Sequence, residues 1–461
     1  MLVTESVITA YLAASLALGA VFKSKADSVK GFLVANREIG KWLLAFTFGA
    51  TYFSSVVIVV GGAWAYMWGT DSLLIPALNV VLGALATFIF LGRRVNRLSI
   101  ELDALTVPEL FGRLYSSRGL QRLMGAMAAV GLTLYAATVV SSASAMLASV
   151  LHLNIALVAA VVAGVMAVYV AMGGMYSVVW TDTLQGVIMA SGVLLLLVFS
   201  LSHVGGLAAL AEAKPALPPG RVDRLLILDL ALLTSVAVWG LPQLINRFYT
   251  ASSPSVIKRA TGIATLFAFI VSYGSFLSGL AAARIIPPGR VGDPLKAIPS
   301  LVHLLFGPVG AAVFTAAVLA AAMSTADSIA LTVGSSIVYD VAGRRDTRLL
   351  RLASFASMLA AAAIAVLTLA MPRSMASAVT AVFRTGWTFT AGAFLVPVAA
   401  TVLGYRSRAA VLASSAVGAL TALAYGVAKA LHLALPLMNL SFTVTVAASL
   451  AAYAASYAAA R

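Results

Sequence analysis

The sequence predicts an all-α integral membrane protein of about thirteen transmembrane helices, ten of them forming a five-plus-five inverted repeat. Three observations predict it. The chain of 461 residues is 62% hydrophobic, has a mean hydropathy of +1.02 and is only 10% charged, where soluble domains carry about a quarter charged residues. Its apolar runs recur at or above the roughly 20 residues that a helix needs to cross a bilayer. Two of those runs carry glycine or proline breaks at corresponding places, the mark of discontinuous helices in an inverted-repeat transporter.

The spans fall at about 4–22, 40–66, 72–95, 122–152, 154–173, 177–203, 225–250, 256–288, 306–340, 348–372, 374–404, 408–430 and 438–459. The first lacks the positive leading segment of a signal peptide and is followed by Lys23, Lys25 and Lys30, so it reads as a retained extra helix. The second is interrupted at Phe48-Gly-Ala-Thr-Tyr-Phe-Ser-Ser55 and the seventh at Trp239-Gly-Leu-Pro-Gln243. Five helices separate the two starts. The first repeat is therefore placed at 40–203, the second at 225–404, and two extra C-terminal helices at 408–459. Between the third and fourth spans, Leu102–Phe111 reads as a short amphipathic helix lying against the bundle. No polar stretch is long enough for a soluble core, so 1–461 is a single transmembrane domain.

The formal net charge of +15 would suit a nucleic-acid partner in a soluble protein, but the hydropathy excludes that reading. The lysines and arginines concentrate in the loops at 23–41, 93–122, 247–259, 344–351 and 406–408, and are sparse at 214–224, 284–296 and around Arg373. The positive-inside rule then puts the N-terminus outside and the C-terminus in the cytoplasm, in a multi-pass protein of the cell membrane surrounded by lipid. Arg384 and Lys429 are left within apolar spans. There is no cysteine, and the four histidines show no metal-ligand spacing. No nucleophile–base pair stands out, so an enzyme is not expected.

Within the ninth span, Ala321-Ala-Met-Ser-Thr-Ala-Asp-Ser328 gathers hydroxyls and one carboxylate in an otherwise uncharged segment. A polar cluster at that depth is costly unless it faces a cavity or an ion. Oxygen atoms are the ligands that a hard monovalent cation takes, which points to ion-coupled transport. Hydrogen bonding back to the preceding turn would explain Ser324 or Thr325 singly. It does not explain four oxygen-bearing residues in five positions.

Gly173-Gly-Met-Tyr-Ser-Val-Val-Trp-Thr-Asp-Thr-Leu-Gln185 and Ala321-Ala-Met-Ser-Thr325 closely resemble the signatures of the sodium:solute symporters. Weaker echoes lie in order at Ala50-Thr-Tyr-Phe-Ser-Ser55, Pro242-Gln-x-x-x-Arg247 and Asp293-Pro. The resemblance implies a LeuT-like fold and transport driven by the sodium gradient. It implies a sodium site formed by backbone carbonyls of Ala50, Phe53 and Ala321 with hydroxyls of Ser324 and Thr325. Ala321, Ser324 and Thr325 stand at i, i+3 and i+4, on one helix face. Some members carry a second sodium site near an aspartate on the sixth helix. Asp182 is the match, with Ser324 and Ser328 opposite, and this chain departs from the pattern at Asp327. A carboxylate there would strengthen the site, hold a proton or pair with Arg384.

Other polar residues admit two readings each. Asp182 binds or gates an ion, or simply caps its helix or pairs with a basic loop. Arg384 lies about ten residues into its span, near mid-membrane at 1.5 Å per residue. It either clamps an anionic substrate or pairs internally with Asp327, Asp182 or Asp229. Tyr52, Ser54, Ser55 and Trp239 stand at the helix breaks, where the resemblance places the substrate. Ser141, Ser142 and Ser144 line the pocket or only let helices approach closely. Asn79 is isolated and polar, with no assigned role.

The reading is a sodium-coupled importer of a small organic solute, with Arg384 favouring a carboxylate, either an organic acid or an amino acid. The alternatives are a proton-coupled symporter titrating Asp327 or Asp182, a channel, and a transporter-like sensor, which is expected to carry an appended signalling domain. The orientation is directly testable, because reporter cysteines meet no native thiol. A cysteine replacing Thr347 should resist an impermeant thiol reagent in right-side-out vesicles, and one replacing Ala216 should react. The reversed pattern would overturn the orientation.

Overall fold

A computed structural model describes residues 28–151, 153–213, 215–217, 222–370 and 375–460, with isolated positions before residue 28. The span expected at 4–22 lies largely outside the described residues. The described chain is helical throughout, and its β-structure is one isolated parallel bridge, Ile39 to Ala251. Nine described helices are long and apolar enough to cross a membrane, and a pair bent by 45°, Arg224–Gly240 with Pro242–Thr250, adds a tenth.

The first expected break is present. Helix α1 (Val29–Val34) leads to α2 (Lys41–Tyr52), which stops at Phe53, whose backbone is extended at φ −98° and ψ 98°. The chain resumes as a π-helical turn at Val56–Val60 and then α3 (Gly61–Trp68). Ser54 supports the restart by accepting a hydrogen bond from the Val56 amide at 3.1 Å. Next come α4 (Leu74–Leu78), a π-helical stretch at Asn79–Gly92 and α5 (Arg93–Glu101).

The amphipathic helix expected at 102–111 is α6 (Val107–Leu114), shifted along the chain. Thr106 caps it by accepting from the Glu109 amide, while Glu109 reaches back to the Leu105 amide at 2.7 Å. That reciprocal cap, with Pro108 in the first turn, fixes the start. Its residues Val107–Gly112 are buried rather than resting on the surface.

Helix α7 (Arg118–Leu151) is followed by α8 (Ile155–Val204), which Asn154 caps through the amides of Ala156 and Leu157. Gly174 bends α8 with φ 72°, a left-handed conformation that glycine reaches without a Cβ penalty. The second expected break divides α9 (Arg224–Val236) from α10 (Pro242–Thr250), with a 3-10 turn at Ala237–Gly240 and extended backbone at Leu241. The remaining helices are α11 (Pro254–Ile285), α12 (Ala297–Ser335), α13 (Thr347–Leu369), α14 (Met375–Leu403), α15 (Arg408–Ala430) and α16 (Ser441–Ala459). α12 bends at Gly307 and packs against α7, α8 and α2, which brings its middle to the first break.

Small residues set the spacing around that break. A Cβ added to Gly279 of α11 would lie 2.3 Å from the Gly62 carbonyl oxygen of α3. The two backbones therefore meet directly, as tight membrane packing requires. Gly279→Val should force them apart at a cost of about 1–3 kcal/mol, read as a lower melting temperature in detergent. Unchanged melting would show that this contact does not fix α3.

Candidate functional site

The middle of α12 lies against the end of α2. The Ser324 Oγ donates to the Ala50 carbonyl at 3.0 Å and to the Ala321 carbonyl at 3.2 Å. The Thr325 hydroxyl lies within 3.3 Å of the carbonyls of Ala50, Thr51 and Ala321. Ser324 and Thr325 are fully buried. The structure thus brings together Ala50, Ala321, Ser324 and Thr325, and adds Thr51. Phe53 forms the cap where α2 ends.

Beside these oxygens stands a buried charged cluster. Arg247 on α10 and Asp182 on the second limb of α8 pair at 3.1 Å, both with fully buried side chains. Asp182 also accepts from Thr47 at 2.5 Å and from Thr51 at 3.4 Å. The guanidinium donates to Thr51, to the Met175 sulfur and to Ser328. Ser328 lies 3.0 Å from the Thr51 hydroxyl and bonds one carboxylate oxygen of Asp327 at 3.2 Å. The other Asp327 oxygen is buried without a partner, as is the second oxygen of Asp182. Asp327 lies within electrostatic reach of both Asp182 and Arg247. One guanidinium, paired directly with Asp182 alone, thus stands near two carboxylates, and with both ionised the cluster carries one excess negative charge. A buried excess charge is unfavourable until a cation or a proton offsets it.

Arg247 has no role in the sequence reading beyond its place in the Pro242-Gln-x-x-x-Arg247 echo, which put it at the edge of the loop 247–259. It is instead part of α10, and its side chain is fully buried. The available signal was that echo, combined with an aspartate elsewhere that needed a partner. Thr47 and Thr51, one turn apart on α2, were missed because threonines in a membrane helix commonly bond their own backbone.

The other expected residues separate. Tyr52 and Ser54 line a small central cavity of about 30 Å³ at the first break, walled by Phe53, Trp64, Phe383 and Trp387. Ser55 turns away and donates to the Val139 carbonyl at 3.2 Å, with its oxygen 2.7 Å from Ser142. Ser141 and Ser144 bond back to the carbonyls of Ala137 and Val140, the close-packing arrangement. Trp239 donates to the Leu82 carbonyl at 3.2 Å and lies beside Phe90, outside the cavity lining. Arg384 pairs with Asp229 at 2.8 Å and also donates to Ser441 and the Asn439 carbonyl. Asp229 is anchored in turn by the amides of Phe442 and Thr443. Of the three aspartates considered as partners for Arg384, the structure selects Asp229. The ion pair ties α9 and α14 to the start of α16.

A family model described as the sodium:solute symporter family matches residues 32–426. A sodium/pantothenate symporter of Haemophilus influenzae is 29% identical, over 70% of this chain and 68% of its own length. An osmoregulated proline transporter of Bacillus subtilis is 26% identical, over 72% and 69%. Among solved structures, a Na+-coupled sialic acid symporter in a substrate-bound outward-open state superposes with a TM-score of 0.75 at 16% identity, covering 99% of this chain and 98% of its own. MhsT in complex with L-phenylalanine gives 0.60 at 14% identity, covering 91% and 98%.

The buried pair makes a direct prediction. Arg247→Gln strands two carboxylates, and breaking a buried pair from one side costs about 3–5 kcal/mol, seen as a large fall in detergent melting temperature. Adding Asp182→Asn should recover part of the loss. Arg247→Gln melting like the wild type would show that the pair does not hold the fold.

Proposed function

This chain belongs to the sodium:solute symporter family, and on that premise we propose that it is an importer that draws a small organic solute into the cell with sodium by alternating access. It is a membrane transporter and not an enzyme, and sodium-coupled symport of a small solute is the activity that its relatives support. The proposal goes further in direction, site and topology. It takes the thirteen-span layout with its five-plus-five repeat, the outside N-terminus and the cytoplasmic C-terminus as the working arrangement in the cell membrane.

One observation carries the ion site: hydroxyls of α12 meet backbone carbonyls that the end of α2 leaves free. A hydroxyl that donates to a carbonyl can turn its hydrogen aside and offer a lone pair instead. Ser324 and Thr325 would then join the carbonyls of Ala50, Phe53 and Ala321 around sodium. Unwound carbonyls at a helix break are suited to that role. Sodium would hold α2 to α12, favour the outward-open state and raise solute affinity, and the solute would raise sodium affinity by the same factor.

Asp182, Asp327 and Ser328 form the second cation position in this reading, with Arg247 fixing Asp182. The partnerless oxygen of Asp327 favours one further reading, in which a proton rather than a second sodium offsets the excess charge. Uptake that follows pH and ignores sodium would select it. Arg384, engaged with Asp229, serves in this proposal as an outer tie between helices and not as the solute clamp.

Sodium should protect the purified protein thermally, and potassium at equal ionic strength should not. Ser324→Ala and Thr325→Ala each remove an oxygen contact to a charged group worth about 1.5–3 kcal/mol. Each should therefore raise the sodium concentration for half-maximal uptake roughly tenfold or more. Wild-type sodium dependence in both variants would remove the assigned site.

A further inference from the structure

A second cavity lies away from both the ion site and the central cavity. It measures about 430 Å³ and is walled by α6, the start of α7 and the chain that follows α12. That is the size of a small-molecule site. Four arginines line it, namely Arg113, Arg118, Arg122 and Arg345.

The arginines differ in what they meet. Arg113 donates twice to Glu109, at 2.9 and 2.7 Å. Glu109 also accepts from the Tyr339 hydroxyl and from the Leu105 amide, each at 2.7 Å, so its charge is answered. Arg345 stands 5.6 Å from the centre of the Tyr339 ring and reaches the hydroxyl at 3.4 Å. Among the described residues, no carboxylate pairs with Arg118, Arg122 or Arg345, and all three are exposed. The second carboxylate of the wall is Asp340, only 3% exposed. One of its oxygens accepts from Thr106 at 2.7 Å and from Gln121 at 2.9 Å, and the other is buried without a partner. Four cations against two carboxylates leave the wall with two excess positive charges. The start of α7 adds the positive end of its helix dipole.

The positive-inside rule accounts for arginines in such loops. It does not account for their convergence on one cavity from two loops more than 200 positions apart. A guanidinium fork matches phosphate oxygens two at a time, and three uncommitted forks suit a multiply charged phosphate. Asp340 restricts the choice further. A carboxylate oxygen with no donor disfavours a ligand that only accepts hydrogen bonds, and favours one that also brings a hydroxyl.

We propose that this cavity binds a phosphate monoester that carries hydroxyl groups. The phosphate lies among Arg118, Arg122 and Arg345, and the hydroxyls lie towards Asp340. Such a group occurs on a free phosphorylated polyol and on a lipid headgroup. Leu123, next to Arg122, is exposed, so the rim of the cavity meets apolar surroundings as well as water. Occupancy would fasten α6 and α7 to the π-helical stretch at Ser336–Val341, which continues the helix that carries Ser324 and Thr325.

The test is thermal protection and equilibrium binding on the full-length protein at constant sodium. The soluble arm compares sn-glycerol 3-phosphate with glycerol and with potassium chloride at equal ionic strength. The lipid arm compares phosphatidylcholine nanodiscs doped with phosphatidylinositol 4-phosphate or with phosphatidylinositol, which lacks the monoester. At least one monoester should protect beyond its controls. Protection by the soluble probe assigns a free phosphorylated solute, and protection by the lipid alone assigns a headgroup. Arg118→Gln, Arg122→Gln and Arg345→Gln should each weaken binding of the effective probe roughly tenfold. Their melting without the probe should match the wild type, because none of them strands a carboxylate. They are separate variants, so poor folding of one leaves the other two to decide. No protection in either arm, equal protection by the controls, or wild-type affinity in every folded variant would overturn the proposal.

Discussion

Stopping a helix inside a membrane frees backbone carbonyls that lipid cannot satisfy, and the arrangement of this molecule follows from how those carbonyls are met. α2 ends at Tyr52, and the hydroxyls of Ser324 and Thr325 come from α12 to the carbonyls of Ala50 and Thr51. The contact requires α12 to pass close to α2. Uninterrupted small residues in Ala320–Ala322 and glycines on the neighbouring helices permit that approach. The junction of hydroxyls and carbonyls is closed on itself in this structure, and on the sodium proposal it would open around a cation as its second arrangement. That bistability is what ion coupling requires.

On the sodium proposal, the charged cluster beside the junction would give the cation a reason to bind. Arg247 pairs with Asp182 and leaves Asp327 as a second carboxylate, which, when ionised, would favour added positive charge. Thr51 belongs to both parts, because its carbonyl meets Thr325 and its hydroxyl meets Arg247, Asp182 and Ser328. Tyr52 follows immediately and lines the central cavity. The proposed ion site, the charge cluster and the cavity are thus three consecutive steps along one strand of backbone, so occupancy of one would alter the geometry of the next.

Much of this was legible in the sequence where the signal was local. Hydropathy marked the helices, and glycine, proline and hydroxyl residues marked both breaks. The spacing of Ala321, Ser324 and Thr325 placed them on one face. Asn154 divided two merged apolar runs by capping the second. What the sequence hid was long-range pairing. Arg384 meets Asp229 across 155 positions, and neither residue's neighbours reveal the choice among three candidate aspartates. Arg247 read as the edge of a basic loop because its burial depends on Asp182 coming from another helix. Ser55 and Trp239 stand at the breaks as expected, but a helix break fixes where a residue is, and packing fixes which way it faces. The start of α6 was misplaced by several residues because the Thr106 and Glu109 cap outweighed the hydrophobic pattern.

The most direct test of the central claim is amide hydrogen exchange across the junction, read by mass spectrometry with sodium or with potassium at equal ionic strength. Sodium should slow exchange in the segments around 50–56 and 321–328 together, because one ion would order both sides of the break. Exchange that is the same in both salts, or that slows in only one of the two segments, would contradict a cation shared between α2 and α12.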